Sequence, residues 1–317
     1  MSTAETARVA EHVRREMARA IVGQREAVDQ FLLVLLVGGH ALVEGFPGLA
    51  KTLMVNALAR VFRLGFHRVQ CTPDLMPADV LGSNVFNTAT GKFALHRGPI
   101  FTDLLLVDEI NRTPPRTQSA LLEAMQERQV TIDGASHPLG EFFTVFATQN
   151  PIEFEGTYPL PEAQLDRFVL KIRVGYPAAA EETQILKSFQ AGYDARTIER
   201  LGLEPLDPAV LAAARREVAA VRVEPALFDY TTAVIRRTRD WPAVSLGASP
   251  RAALNLLFVG KAIAATDGRD YLLPDDIKSA APAVLRHRLI LKPEADLEGV
   301  TADQVVEEVI ASVEVPK

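Results

Sequence analysis

Glu44-Gly45-Phe46-Pro47-Gly48-Leu49-Ala50-Lys51-Thr52 decides the fold. An apolar run, Ala41-Leu42-Val43, precedes it, and Leu53-Met54-Val55-Asn56-Ala57-Leu58-Ala59 follows as a helix with one face toward a core. A buried strand, a glycine-containing turn and a helix opening at Lys-Thr make a cradle for phosphate. The turn offers consecutive backbone N–H groups, and the helix N-terminus adds unsatisfied donors and partial positive charge. Gly45, Pro47, Gly48, Leu49, Ala50, Lys51, Thr52 and Leu53 are expected to line it. Lys51 would reach the β- and γ-phosphates of ATP, and the Thr52 hydroxyl would bind magnesium. One position departs from the pattern, because Ala50 stands where glycine is usual. In right-handed helical space the alanine costs nothing; at positive φ its methyl is a penalty. The bland alternative is an ordinary Pro-Gly turn between strand and helix.

The second decisive stretch is Phe101-Thr102-Asp103-Leu104-Leu105-Leu106-Val107-Asp108-Glu109. Consecutive aliphatics mark a strand buried on both faces, as in a parallel sheet. Its two carboxylates fall at the C-terminal end, where open α/β sheets place their ligands. Asp108 would hold magnesium through water, and Glu109 would act as general base on the water attacking the γ-phosphate. Read blandly, the pair is a solvated acidic turn; the Lys-Thr loop upstream argues against that.

The remaining elements are arranged around these two. Val9, Val13 and Met17 lie four apart on an amphipathic first helix. Val22-Gly23-Gln24 then breaks the chain before a second helix, either lining the base of a nucleotide or making a plain helix–helix turn. His67 to Thr72 reads as a strand, and Pro73 to Gly82 contains a short helix. Val85 to Leu95 reads as a hairpin about Thr90-Gly91. After a helix over Thr117 to Glu127, a second hairpin is expected from Val130-Thr131-Ile132 through Asp133-Gly134 to Glu141–Phe146, its last run continuing as a core strand. Arg167 to Val174 supplies another strand.

From Pro177 amphipathic helices take over. Asp207-Pro208 opens one with Leu211, Ala214, Val218 and Val221 inward; Leu227, Val234 and Ile235 mark the next. Ser249-Pro250 opens a third with Leu254, Leu257 and Phe258, closed by Asp267-Gly268, and Thr301 with Gln304 offers a capping box. The expected organisation is an α/β nucleotide-binding domain over 1–176 and an all-helical domain over 177–317.

Composition limits the function. The 317 residues are 48% hydrophobic and 23% charged, an ordinary globular balance with enough chain for a real core. A net charge of −6 argues against sequence-independent nucleic-acid binding. The lone Cys71 fits a reducing compartment and no disulfide framework. The charged N-terminus does not read as a signal peptide, and Phe31 to Val37 is too short to span a bilayer. A cytoplasmic location is expected. His40, His67, His96, His137 and His287 show no ligand spacing and read as structural.

Taken together, these stretches resemble the AAA+ ATPases, and within them the MoxR family of the helix-two-insert branch. The resemblance covers roughly Ile21 to Leu291. Its most specific parts are Glu44–Thr52, Leu106-Val107-Asp108-Glu109-Ile110-Asn111-Arg112, and Ala147 to Phe168 with its Ala-Thr-Gln-Asn-Pro-Ile-Glu start. Gly247-Ala248-Ser249-Pro250-Arg251 and Val284 to Leu289 also match. The resemblance implies a P-loop NTPase core with a parallel sheet in three layers and a C-terminal helical lid. It further implies that Asn150 senses the γ-phosphate and the attacking water. Arg167 would be an arginine finger offered to the neighbouring subunit, and Arg251 a second sensor reaching its own site. Plain salt bridges, to Asp166 for example, are the bland reading of these arginines and of Arg112 and Arg116. The expected assembly is a ring, a hexamer, acting as a chaperone on a protein client with a von Willebrand factor A domain partner. Two rivals stand beside it: a nucleotide-gated scaffold, against which Glu109 speaks, and a motor on DNA, which Lys92 and Arg128 keep open.

Overall fold

The computed structural model describes residues 3–89, 91–150, 156–192 and 195–316. Thr90 of the first hairpin turn, and Ile152 and Glu153 of the Ala147–Phe168 stretch, lie outside the described residues.

The centre is an all-parallel sheet of five strands. They are β1 (Ala41–Gly45), β2 (Phe66–Gln70), β3 (Leu104–Asp108), β4 (Thr144–Gln149) and β5 (Leu170–Val174), ordered β2-β3-β4-β1-β5. Alternation along each strand sends side chains to opposite faces. Val43, Leu104, Leu106, Phe146 and Ile172 enter one apolar core, with the helices Ala4–Ala20, Arg25–Val37 and Lys51–Val61. Leu42, Leu105, Val107, Val145 and Ala147 enter the other, against the helix Pro115–Glu127. Three layers result. Burial on both faces explains why β3 reads as an unbroken aliphatic run.

The strand order positions the site. β4 lies between β1 and β3, so its end comes to rest between the phosphate loop and the carboxylates. Ligands of open α/β sheets bind at such a reversal, beyond the carboxyl ends of the strands.

The helices of the C-terminal half follow their capping signals. Asp207 accepts the Ala209 N–H at 2.8 Å to open Pro208–Ala220, and the capping box of Thr301 and Gln304 opens Ala302–Ser312. The core beneath the first sheet face continues into these helices: Leu211, Ala214, Val234 and Leu256 belong to the same apolar cluster as Val9 and Phe31. The N-terminal helix is bonded to them as well, through Thr6 N–H and Glu217 at 2.9 Å.

Two expectations need correcting. The second hairpin returns through Ala135–Pro138, not Glu141–Phe146. Asp133 and Gly134 both sit at positive φ, a two-residue turn that pairs Ile132 with Ala135 at once. The apolar run after it is free to enter the main sheet as β4. In the helix Pro250–Thr266, Ala252, Leu256 and Val259 face the core, while Leu254 and Phe258 are about half exposed. Small alanines and Gly260 let neighbouring segments approach that face, and a Cβ at Gly260 would have to displace the Leu272 side chain.

His40 locks the base of the sheet. Its Nδ1 accepts the Val145 N–H at 2.9 Å, which leaves Nε2 as the donor to the Met125 carbonyl at 3.0 Å. Burial, with Arg128 nearby, pushes its pKa down to about 4. His287, buried on the Phe168 carbonyl, is also held well below its ordinary value. The unfolded chain therefore takes up these protons first. Their contribution to stability is complete above about pH 6.5 and is lost as pH falls toward 4, on the order of 3 kcal/mol for His40. Urea denaturation across that range should show stability falling with acid. His40→Gln, which retains one donor and one acceptor, should reduce the slope by about one proton; an unchanged slope would contradict this assignment.

Candidate active site

The loop after β1 is shaped by contacts that its sequence requires. A Cβ on Gly45 would lie 2.6 Å from the Val174 carbonyl, so only glycine lets β5 approach here. Gly48 turns at φ +84 with open space where a side chain would project. Leu49 anchors the loop in the core, Leu53 packs against that core, and Pro47 is exposed. Ala50 adopts φ 57, ψ 18, so the strained alternative holds at this position. Left-handed geometry costs a non-glycine residue roughly 1–2 kcal/mol. The helix Lys51–Val61 starts immediately after it, with Thr52 half-buried in the first turn. Lys51 Nζ curls into the loop, donating to the carbonyls of Gly45 and, at 2.9 Å, Phe46. Burial lowers its pKa, and Asp108 and Glu109 oppose that shift. The ammonium therefore lies in the field of both carboxylates.

At the end of β3 the acids are held by Thr148, Arg68 and Gln70, which the sequence reading did not single out, and by Arg112, whose salt-bridge reading holds. Asp108 Oδ1 accepts the Thr148 hydroxyl at 2.5 Å, and Oδ2 accepts Arg68 at 2.6 Å. Thr148 Oγ1 in turn accepts the Glu109 N–H at 2.8 Å. Glu109 is left-handed (φ 60, ψ 52), a strained conformation that persists only where its surroundings enforce it. Its Oε2 receives Gln70 Nε2 at 3.1 Å and Arg112 Nε at 3.0 Å. Gln70 pairs in register with Asp108. The available signal was the polar alternation of Arg68 and Gln70 on a strand of an otherwise apolar sheet. Asn150 is buried directly after β4, between the loop and these carboxylates. Cys71 is also buried, its thiol pushed up to about 11 by burial, and is chemically quiet.

The turn Val22-Gly23-Gln24 is pinned to the same end of the molecule. Gln24 donates to the Gly175 carbonyl at 2.6 Å, and a Cβ on Gly23 would collide with the Glu181 carboxylate at 2.4 Å. Val22 and Gly23 border a cleft shared with Arg25, Gln184 and Ser188. Phe46 of the loop stacks on Tyr176, ring centroids 5.2 Å apart. Loop, turn and the link after β5 thus form one connected wall.

Arg167 and Arg251 are not brought to that wall. Arg167 precedes β5, whereas the phosphate loop leaves β1 at its other end; Ala41 pairs with Leu170 and Gly45 with Val174. About 13 Å of strand separates those levels. Asp166 does not pair with Arg167: its carboxylate accepts Arg288 Nε at 2.7 Å and the Ser249 hydroxyl at 3.0 Å. Arg251, exposed two residues after Ser249, sits near enough to Arg288 to disfavour that charge. Arg288 also donates to the Phe168 and Val169 carbonyls. The lid therefore places Arg251 in the neighbourhood of the Asp166–Arg288 pair. Arg116 is exposed on its helix.

Comparison with known proteins agrees with this architecture. Residues 40–170 match the AAA ATPase family "associated with various cellular activities", and residues 236–309 match the AAA lid domain. Chaperone MoxR1 of Mycobacterium tuberculosis is 42% identical over 95% of this chain and 81% of its own length. Protein YeaC of Bacillus subtilis is 45% identical over 96% and 93%. The crystal structure of a candidate ATPase from Cytophaga hutchinsonii superposes with a TM-score of 0.91 at 39% identity, covering 99% of this chain and 97% of that one. The chain belongs to the MoxR family of AAA+ ATPases. Alanine before the loop lysine is thus tolerated in a MoxR-family fold despite its φ. No helix among the described residues is long and apolar enough to cross a membrane.

Replacing Ala50 by glycine should relieve the left-handed strain, part of the gain being offset by added freedom in the unfolded chain. A melting temperature raised by roughly 1–3 °C in calorimetry is expected. A fall would show that the Ala50 methyl contributes packing that outweighs its strain.

Proposed function

We propose that this MoxR-family protein hydrolyses ATP at seams between copies of itself and uses the cycle to remodel a protein client. The carrying observation is the separation of charges within one chain: Lys51, Asp108 and Glu109 lie past the C-terminal ends of β1 and β3, whereas Arg167 enters β5 from its N-terminal end. Turnover that needs all of them needs a neighbour.

The residues present fit the substrate and its metal. The turn past Gly48 leaves open space, and Lys51 supplies a cation held on the Gly45 and Phe46 carbonyls at the base of the loop. Thr52 and Asp108 offer the hard oxygen ligands magnesium takes, and the ion would shield phosphate charge. Val22, Gly23 and Gln24 would border the base, beside Tyr176. Glu109, restrained by Gln70 and Arg112, would accept a proton from the attacking water. Asn150 would orient that water with a neutral amide. Arg167 from the adjacent copy, with Arg251 as the second sensor, would neutralise charge developing on the transferred phosphoryl group, where guanidinium forks act best.

The client end is read from the hairpin Gly82–Asn87/Lys92–Arg97. Phe86 and Phe93 meet edge to face across it, ring centroids 5.3 Å apart, yet are 50% and 71% exposed, with Val85 beside them. Exposed apolar groups of this kind suit a protein surface. A hexameric ring, a von Willebrand factor A domain partner and a cytoplasmic location belong to this same proposal.

Phosphate release separates this reading from a scaffold that binds without cleaving. Glu109→Gln should lower turnover by about 10²- to 10⁴-fold while nucleotide binding persists. Arg167→Ala should lower it by about 10³- to 10⁵-fold. Equal, near-zero rates in the assembled wild type and Glu109→Gln would favour the scaffold.

A further inference from the structure

Away from the nucleotide loop, three cations converge on a cleft of about 380 Å³. It lies where the helix Arg25–Val37 ends, just before β1, and it is walled by Arg128, Arg215 and Lys261 together with Val218 and Phe258. No carboxylate lines it among the described residues. The cations come from three segments: Arg128 caps the helix Pro115–Glu127, Arg215 lies on Pro208–Ala220, and Lys261 on Pro250–Thr266.

Their existing hydrogen bonds fix them without neutralising them. Arg215 donates to the carbonyls of Leu35 at 2.7 Å and Glu141 at 3.0 Å, and lies 5.1 Å above the Phe142 ring. Arg128 donates to the carbonyls of Gly38 and Glu141, and Lys261 to that of Ala219 at 2.7 Å. All of these acceptors are neutral. Arg215 Nη2 is buried and has no hydrogen-bond partner among the described residues. A buried donor left over on a fixed guanidinium is costly unless something accepts from it. The charge that opposes the repulsion is the Glu141 carboxylate, on an exposed residue; burial and Arg128 still push Arg215 down to about 10, and burial lowers Lys261.

We propose that this cleft is a binding site for a phosphate-type oxyanion, separate from the Lys51 loop. Two guanidinium forks and an ammonium match the several oxygens of such an ion, and Phe258 gives the mouth an apolar rim. The anion would join the base of the second hairpin, through Arg128, to the helical half, through Arg215 and Lys261. It would thereby stiffen the joint across which the lid is held.

Thermal unfolding of the full chain in millimolar inorganic phosphate, against chloride at equal ionic strength and pH, tests this. The Lys51→Ala variant removes binding at the nucleotide loop and should keep a phosphate-specific rise of roughly 2–5 °C. Lys261→Gln should abolish most of that rise in the Lys51→Ala background, and Arg128→Gln provides a second variant on the opposite wall. Loss of the rise in Lys51→Ala alone would place phosphate at the nucleotide loop and overturn the proposal. A full rise in both Lys261→Gln and Arg128→Gln would overturn it equally.

Discussion

All five strands of the sheet run in one direction, and that polarity decides which charges can meet within a single chain. The loop after Gly45, the acids after Val107 and the amide of Asn150 all lie at the same, C-terminal end of the strands. The segment bearing Arg167 enters β5 from the other end. The lid reinforces this arrangement. Arg288 and Ser249 grip Asp166, and Arg251 lies in the neighbourhood of the Asp166–Arg288 pair. Because Arg288 is buried, breaking this ion pair would leave an uncompensated charge, and the pair holds in place the segment that displays Arg167.

The site is built under strain. Ala50 and Glu109, on the phosphate loop and beside the acids, both adopt left-handed backbone that suits neither residue. Each costs on the order of 1–3 kcal/mol and is held by its surroundings. For Glu109 the restraint is visible: Thr148 bonds its N–H and also Asp108, so one hydroxyl sets both carboxylates. Gln70 and Arg112 then hold the Glu109 oxygen. An amide and a guanidinium donor together hold the Glu109 carboxylate in one orientation.

The sequence disclosed the parts of the site that depend on local pattern. A strand, a glycine turn and Lys-Thr specify a phosphate loop because the needed conformation is encoded within nine residues. The aliphatic run into Asp108 and Glu109 is equally local, and the caps at Asp207 and Thr301 follow the same logic. What remained hidden depends on register and packing. Arg68 and Gln70 meet the acids only because β2 pairs with β3 in one particular register. The exposed stripe of Leu254 and Phe258 looks like a core face until Ala252, Leu256 and Val259 are seen against neighbouring helices. The return strand Ala135–Pro138 is too polar to announce itself, and the tight Asp133-Gly134 turn selects it over the stronger run downstream. The side on which Arg251 lies is set by how the lid docks, which no local motif encodes.

Mixing two inactive variants tests the claim that the active site is shared most directly. Lys51→Ala removes the loop cation and keeps Arg167; Arg167→Ala does the reverse. If catalysis occurs at a seam, the mixture should regain ATP turnover that neither variant shows alone, since some seams then combine an intact loop with an intact arginine. Turnover by isolated single chains at the full wild-type rate, or a mixture no more active than its components, would contradict the account.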